Sequence, residues 1–199
     1  MASEVERAVL LAEHERVALA IIALITGMMG FIVSMVAVPA ASTALAADAL
    51  TFVQHSVSAG FALRTTTGFE RPRWTVQLQG IVMMLLGGLV CVIAVRRLVL
   101  GSFPNYEAMV IMGVVALFAH FVVCAIMLHS RGQLTSALSL WRFTRPDAVG
   151  NIAVIAAAVM VAALGSNVPD LVIGAGMAGL FVVAGWRIAM TGRADAGAR

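Results

Sequence analysis

The chain has 199 residues, of which 61% are hydrophobic and 12% charged. Its mean hydropathy is +1.00, a balance that excludes an ordinary soluble domain. The formal charge of +3 rests on 13 basic residues, all arginine and dispersed through the chain, which argues against a nucleic-acid surface and for a polytopic protein embedded in a lipid bilayer.

The opening MASEVERAVLLAEHER mixes acids, bases and apolar residues, unlike a signal peptide with its basic start and apolar middle. Residues 1–16 are therefore expected to form an N-terminal cytoplasmic segment, with the first span retained. A helical crossing needs about 20 apolar residues. Six such runs follow, at about 17–38, 43–63, 74–98, 107–128, 147–165 and 170–190. The expected organisation is an all-α transmembrane, six-helix domain over 17–190 and a short cytoplasmic tail over 191–199, with no C-terminal cytoplasmic domain.

Arginines mark one side of this arrangement. Arg7 and Arg16 precede the first span; Arg64, Arg71 and Arg73 separate the second and third; Arg131, Arg142 and Arg145 separate the fourth and fifth; Arg187, Arg193 and Arg199 close the chain. The positive-inside rule then places both termini in the cytoplasm. Arg96 and Arg97, at the far end of the third span, are expected to snorkel towards the outer headgroups.

Within the second run, Asp48, Thr51 and His55 fall at i, i+3 and i+7, on one helical face. An ionised carboxylate at mid-bilayer costs roughly 2.5–3.5 kcal/mol, so this face should look into protein or a wet cavity. The third span contains Gly80 and Gly87, and in the sixth Gly174 precedes Ala178 by four and Ala175 precedes Gly179 by four. Small residues at that spacing let helices approach closely, within the chain or across a dimer seam; glycine is also simply common in membrane helices.

His120 in the fourth span and His55 in the second each lie eight residues from the inner end of their runs. Both rings are thus expected at about 12 Å from that boundary. The fifth run opens with Asp147 and, one turn on, Asn151. Hydropathy alone starts this span near Pro146, which is read as a helix start and leaves Asp147 roughly 10 Å shallower than His55. The candidate ion- or proton-binding residues are accordingly His55, Asp147, Asp48 and His120, with Thr51, Gln54 and Asn151 as further oxygen donors that would favour harder ions. A buried histidine bonded only to a neighbouring helix is the competing reading for His55 and, more strongly, for His120. Imidazole titrates at about pH 6.5 and so suits proton exchange. Cys91 and Cys124 read as small packers. The chain contains no G-x-S-x-G, H-E-x-x-H or phosphate-loop motif, so no enzyme activity and no resident cofactor are expected.

The order of six spans with ADALTFVQH in the second and WRFTRPDAVGNIAV in the fifth, followed by VPDLVIGAGMAGLF, resembles the cation diffusion facilitator family, in particular a bacterial subgroup limited to the membrane part. The resemblance covers roughly residues 17–190. It implies an inner-membrane homodimer that exports a divalent metal cation against protons. It places the four ligand positions at Thr51, His55, Phe143 and Asp147, with Asp48 as a non-ligating acid, and implies a fifth helix extended inward through Trp141 to Arg145, which would remove the depth mismatch of Asp147. Thr51 is a poor zinc donor and Phe143 donates nothing, so the implied site is altered, and His120 is the first candidate to complete it. A degenerate, non-transporting membrane subunit is the alternative implied by those two positions. A b-type haem held by His55 and His120 is a second alternative, resting only on their equal depth.

Overall fold

Two of the apolar runs end at glycines, Gly101 and Gly165, whose backbones are left-handed with φ of 68° and 59°. Each closes the helix before it: the Gly101 amide donates to the Arg97 carbonyl at 2.9 Å, and that of Gly165 to the Val161 carbonyl at 3.0 Å. Glycine adopts this geometry without a Cβ penalty. The turn between the first two helices instead uses a left-handed Ala41, with φ of 49°.

A computed structural model describes the backbone of residues 2–65, 73–130 and 137–194, and the side chains of 13–64, 74–129 and 147–190. The described residues form six helices and no strand: α1 Ala2–Ala37, α2 Thr43–Thr65, α3 Arg73–Leu100, α4 Tyr106–Ser130, α5 Ala137–Leu164 and α6 Val168–Ala194. Five contain stretches long and apolar enough to cross a membrane, namely Glu13–Ala37, Trp74–Leu100, Tyr106–His129, Asp147–Leu164 and Val168–Met190. These mark a multi-pass membrane protein.

α2 is not among the five, which corrects the expectation of six apolar runs. Its position explains why it can carry polar residues: α2 packs against each of the other five helices. Leu45, Ala49 and Phe52 enter a core with Val33 of α1, Met109 and Ala116 of α4, and Val154 and Ala158 of α5. On another face, Ala47 meets Val90 of α3 and Ala178 of α6. A helix covered by protein does not require an apolar surface all round.

Backbone proximity sets the remaining packing. A Cβ at Gly80 would stand 2.6 Å from the Gly185 carbonyl and the Ala189 amide, at Gly87 2.9 Å from the Ala178 carbonyl, and at Gly174 2.6 Å from the Thr43 backbone. α3 and α6 therefore meet along their length, and α6 crosses the start of α2. Gly179 does not pack within the bundle as Gly174 does: among the described residues nothing lies within 4 Å of its Cβ position. Rotation of α6 brings the face of Gly174 and Ala178 inward and leaves Gly179 beside it. A close contact not expected from the sequence joins α4 to α5, where a Cβ at Gly113 would stand 2.7 Å from Ile155.

One end of the bundle is tied shut by hydrogen bonds between turns. The Asn105 amide donates to the Ala40 carbonyl at 2.8 Å, and Asn167 Nδ2 to the Ser102 carbonyl at 3.0 Å. Asp170, in the first turn of α6, accepts from Ser42 Oγ at 2.6 Å, from the Thr43 amide at 2.7 Å and from the Ala44 amide at 3.0 Å. A carboxylate from one helix thus caps the N-terminus of another, where free amides and the helix dipole favour negative charge. Arg97 takes part at this end: its Nη1 donates to Thr43 Oγ1 at 3.1 Å. It is held by protein, where snorkelling to headgroups was expected.

Candidate functional site

Away from the tied end, α2, α4 and α5 bring together three side chains of types that can ligate a metal. One nitrogen of His55, one nitrogen of His120 and a carboxylate oxygen of Asp147 all lie within 4.8 Å of one another. His55 Nε2 stands 3.7 Å from Asp147 Oδ2. The two imidazoles meet edge to face with ring centroids 5.7 Å apart, while Phe52 stacks on His120 at 4.3 Å.

Helix α5 makes the meeting of His55 and Asp147 possible. It begins at Ala137 and runs through Pro146, so Pro146 is not the helix start that its sequence context suggests. Asp147 consequently lies in the third turn, deep enough to face His55, and the expected depth mismatch disappears. Proline supplies no amide for the carbonyl four residues earlier, but the flanking turns carry the helix past it. Phe143 lies in this same helix; its side chain is outside the described residues.

A cavity of about 240 Å³ adjoins the cluster, lined by His55, Ser58 and Ala62 of α2, His120 and Met127 of α4, and Asp147 of α5. Ala62 and Met127 lie two turns beyond His55 and His120, so the cavity extends towards the end of the bundle opposite the tied turns. Cys124 and Leu19 complete part of its wall. The side chains of His55 and Asp147 are 31% and 17% exposed, whereas Asp48 and Asn151 behind them are 1% and 0% exposed. Among the described residues the cluster is thus exposed on the cavity side and sealed on the side of Asp48 and Asn151.

The remaining candidates occupy different surroundings. Asp48 is sealed in the core and within electrostatic reach of Asp147, and its Oδ2 has no hydrogen-bond partner among the described residues. Thr51 is half-buried and does not line the cavity. On the face between Asp48 and His55 the structure places Phe52. Gln54 lines a separate apolar groove of about 300 Å³ between α2 and α3, with Trp74 and Phe181. Asn151 reaches the cluster from behind: its Nδ2 contacts His120 Nδ1 at 2.8 Å and donates to the Asp147 carbonyl at 3.1 Å. His120 Nδ1 also lies 3.1 Å from the Ala116 carbonyl.

Ser56 ties α2 to α1, and Ser58, which also lines the cavity, meets α3. Ser56 Oγ donates to the Ala23 carbonyl of α1 at 2.8 Å, and Gln79 Nε2 of α3 donates to Ser58 Oγ at 3.4 Å. Sequence reasoning did not single out Asp170 or the stacking of Phe52. The first was visible as an acid in the opening turn of α6; the second had no signal, because its partner lies on another helix.

Comparison with known protein families and with curated proteins finds no match. Ligands bound at 2.0–2.2 Å to a tetrahedral ion are separated by roughly 3.3–3.6 Å. The His55–Asp147 pair already approaches that spacing, and closing the third donor onto the same ion requires a movement of about 1 Å. Two imidazoles and a carboxylate fit first-row divalent ions better than magnesium or calcium, which prefer all-oxygen sites.

Proposed function

We propose that this chain is a secondary transporter that exchanges a divalent first-row metal cation for protons, with His55, His120 and Asp147 as the cation ligands. The observation that carries this reading is the convergence of those three donors within 4.8 Å beside a cavity that they line. Asp48 is the second buried carboxylate of the pathway, and alternating access arises from rocking of helices about the site. The reading keeps the resemblance to the membrane part of cation diffusion facilitators, with its implied efflux direction, homodimer and bacterial inner-membrane location. It alters the ligand set: His120 of α4 supplies a third donor where Thr51 does not reach the cavity.

The test is reconstitution in vesicles loaded with a pH indicator. Zinc or cobalt added on one side drives a proton flux that His55→Ala and Asp147→Ala each abolish, while Gln54→Ala leaves it intact. A flux indifferent to both site substitutions rejects the assignment. The alternative, a non-transporting membrane subunit with the same fold, is favoured by the shortage of donors at the positions of Thr51 and Phe143. Absence of zinc binding by calorimetry, with stable co-purification of a second protein, would select it. The haem reading has little room: the cavity of about 240 Å³ is below the ~300 Å³ at which small-ligand pockets begin, and Phe52 covers a face of His120.

A further inference from the structure

His120 Nδ1 faces two groups with opposite demands. The Ala116 carbonyl, at 3.1 Å, can only accept a hydrogen bond, so it calls for a proton on Nδ1. The Asn151 amide nitrogen, at 2.8 Å, can only donate, so it calls for a lone pair there. The orientation of the Asn151 amide is set independently, because the same nitrogen donates to the Asp147 carbonyl at 3.1 Å; turned over, its oxygen would oppose that carbonyl. An amide nitrogen carries two hydrogens, one for each of these acceptors. With both in use, Nδ1 is bare and the proton of the neutral imidazole resides on Nε2.

That tautomer is the wrong one for binding a cation. Nδ1 is occupied, which leaves Nε2 to the cluster, and a protonated Nε2 has no lone pair to offer a metal. The alternative tautomer places the proton on Nδ1, donating to the Ala116 carbonyl, and frees Nε2. Metal-ligating histidines characteristically donate their other N–H to a carbonyl in this way. Burial keeps either mismatch from being relieved by bulk solvent: His120 is 5% exposed and Asn151 0%. Among the described residues, His120 Nε2 and Asn151 Oδ1 both lack hydrogen-bond partners.

We infer that Asn151 is a positioning residue that holds His120 in its non-ligating tautomer, so that cation capture requires the Asn151–His120 hydrogen bond to break. The inference rests on the cation-binding reading of the site and names its control. On capture, water from the cavity takes the Nε2 proton and, once the Asn151 hydrogen bond is broken, returns one to Nδ1, so the ring's proton count is unchanged and the new Nδ1–H donates to the Ala116 carbonyl. Apparent affinity is lowered by the fraction of protein in the competent form. Removing the amide thus strengthens cation binding, although it deletes a polar group beside the site.

The experiment uses the full chain in lipid nanodiscs with ¹⁵N-labelled histidine, His120 being assigned by comparison with His120→Gln. Tautomers are distinguished by their ¹⁵N shifts. The metal-free wild type is expected to show His120 protonated on Nε2, and zinc addition to move the proton to Nδ1. Asn151→Leu, and separately Asn151→Asp, whose carboxylate only accepts, are expected to show Nδ1–H before metal is added. Asn151→Leu should also tighten zinc binding by about tenfold, the gain when the competent form is a minority of about 10%.

A metal-free wild type already protonated on Nδ1, or folded variants that leave the tautomer unchanged, overturns the inference even if zinc binds. Zinc binding that weakens in Asn151→Leu overturns the inhibitory role. If the variants change the tautomer and zinc binds to none of the proteins, Asn151 control of His120 is upheld and the transport reading fails.

Discussion

At the scale of single residues, the most consequential carboxylate outside the cation cluster is Asp170. It is 1% exposed and accepts hydrogen bonds from Ser42 Oγ and from the amides of Thr43 and Ala44. Hydrogen bonds to a charged group contribute about 1.5–3 kcal/mol each, and stranding buried donors adds a penalty. Asp170→Ala is therefore expected to lower stability by about 3 kcal/mol or more, with Asp170→Asn losing less because its carbonyl oxygen still accepts. Thermal unfolding in detergent measures both. Gly101 makes a contrasting case: nothing lies within 4 Å of its Cβ position, yet its φ is +68°. Gly101→Ala should cost about 1 kcal/mol through backbone strain alone, read from the same melting curves.

Between elements, stability rests on backbone approach. Gly80 and Gly185 are mutually enclosed: a Cβ on either would stand 2.6 Å from a carbonyl of the other. Neither contact is to a flexible side chain, so α3 and α6 must separate to admit even a methyl group. Gly80→Ala is expected to destabilise by about 2–3 kcal/mol, the range for overpacking, whereas Gly179→Ala should be neutral or slightly stabilising because its Cβ position is open and alanine favours the helix. A comparison of melting midpoints for the two variants checks this directly. The same principle positions the site, since Gly113 lets α4 approach α5 closely enough for His120 to meet Asn151.

For the whole molecule, the two ends of the bundle differ. One is closed by Asp170, Asn105 and Asn167 reaching across turns, and the other holds the cavity that leads to His55, His120 and Asp147. If the chain is the transporter proposed above, this conformation would be one of its access states, and the opposite state would require the hydrogen bonds at the closed end to part. A ligand that binds only the folded bundle raises its stability by RT ln(1 + [L]/Kd), about 2.7 kcal/mol at a hundredfold excess over Kd. Zinc is accordingly expected to raise the melting midpoint of the wild type, chelation to reverse the rise, and His55→Ala to abolish it. An equal rise in His55→Ala would place zinc elsewhere.

The chain alone determined the all-helical membrane character, the approximate bounds of the helices apart from the starts of α1 and α5, and the candidacy of His55, His120 and Asp147, because hydropathy, turn residues and isolated ionisable groups are properties of short stretches. It also indicated Gly80, Gly87 and Gly174 as small residues on packing helices. It could not tell that Pro146 lies inside α5, since a proline after polar residues reads equally as a start. It could not place Phe52, rather than Thr51, between Asp48 and His55 at the site, or turn Gly179 away from the face of Ala178. Those outcomes depend on the rotation and register of helices remote in sequence, which are set where Gly80, Gly113 and Gly174 admit a neighbouring backbone or side chain and where Asp170 holds α2. Only the tertiary structure could show Asn151 and Ala116 competing for one nitrogen of His120.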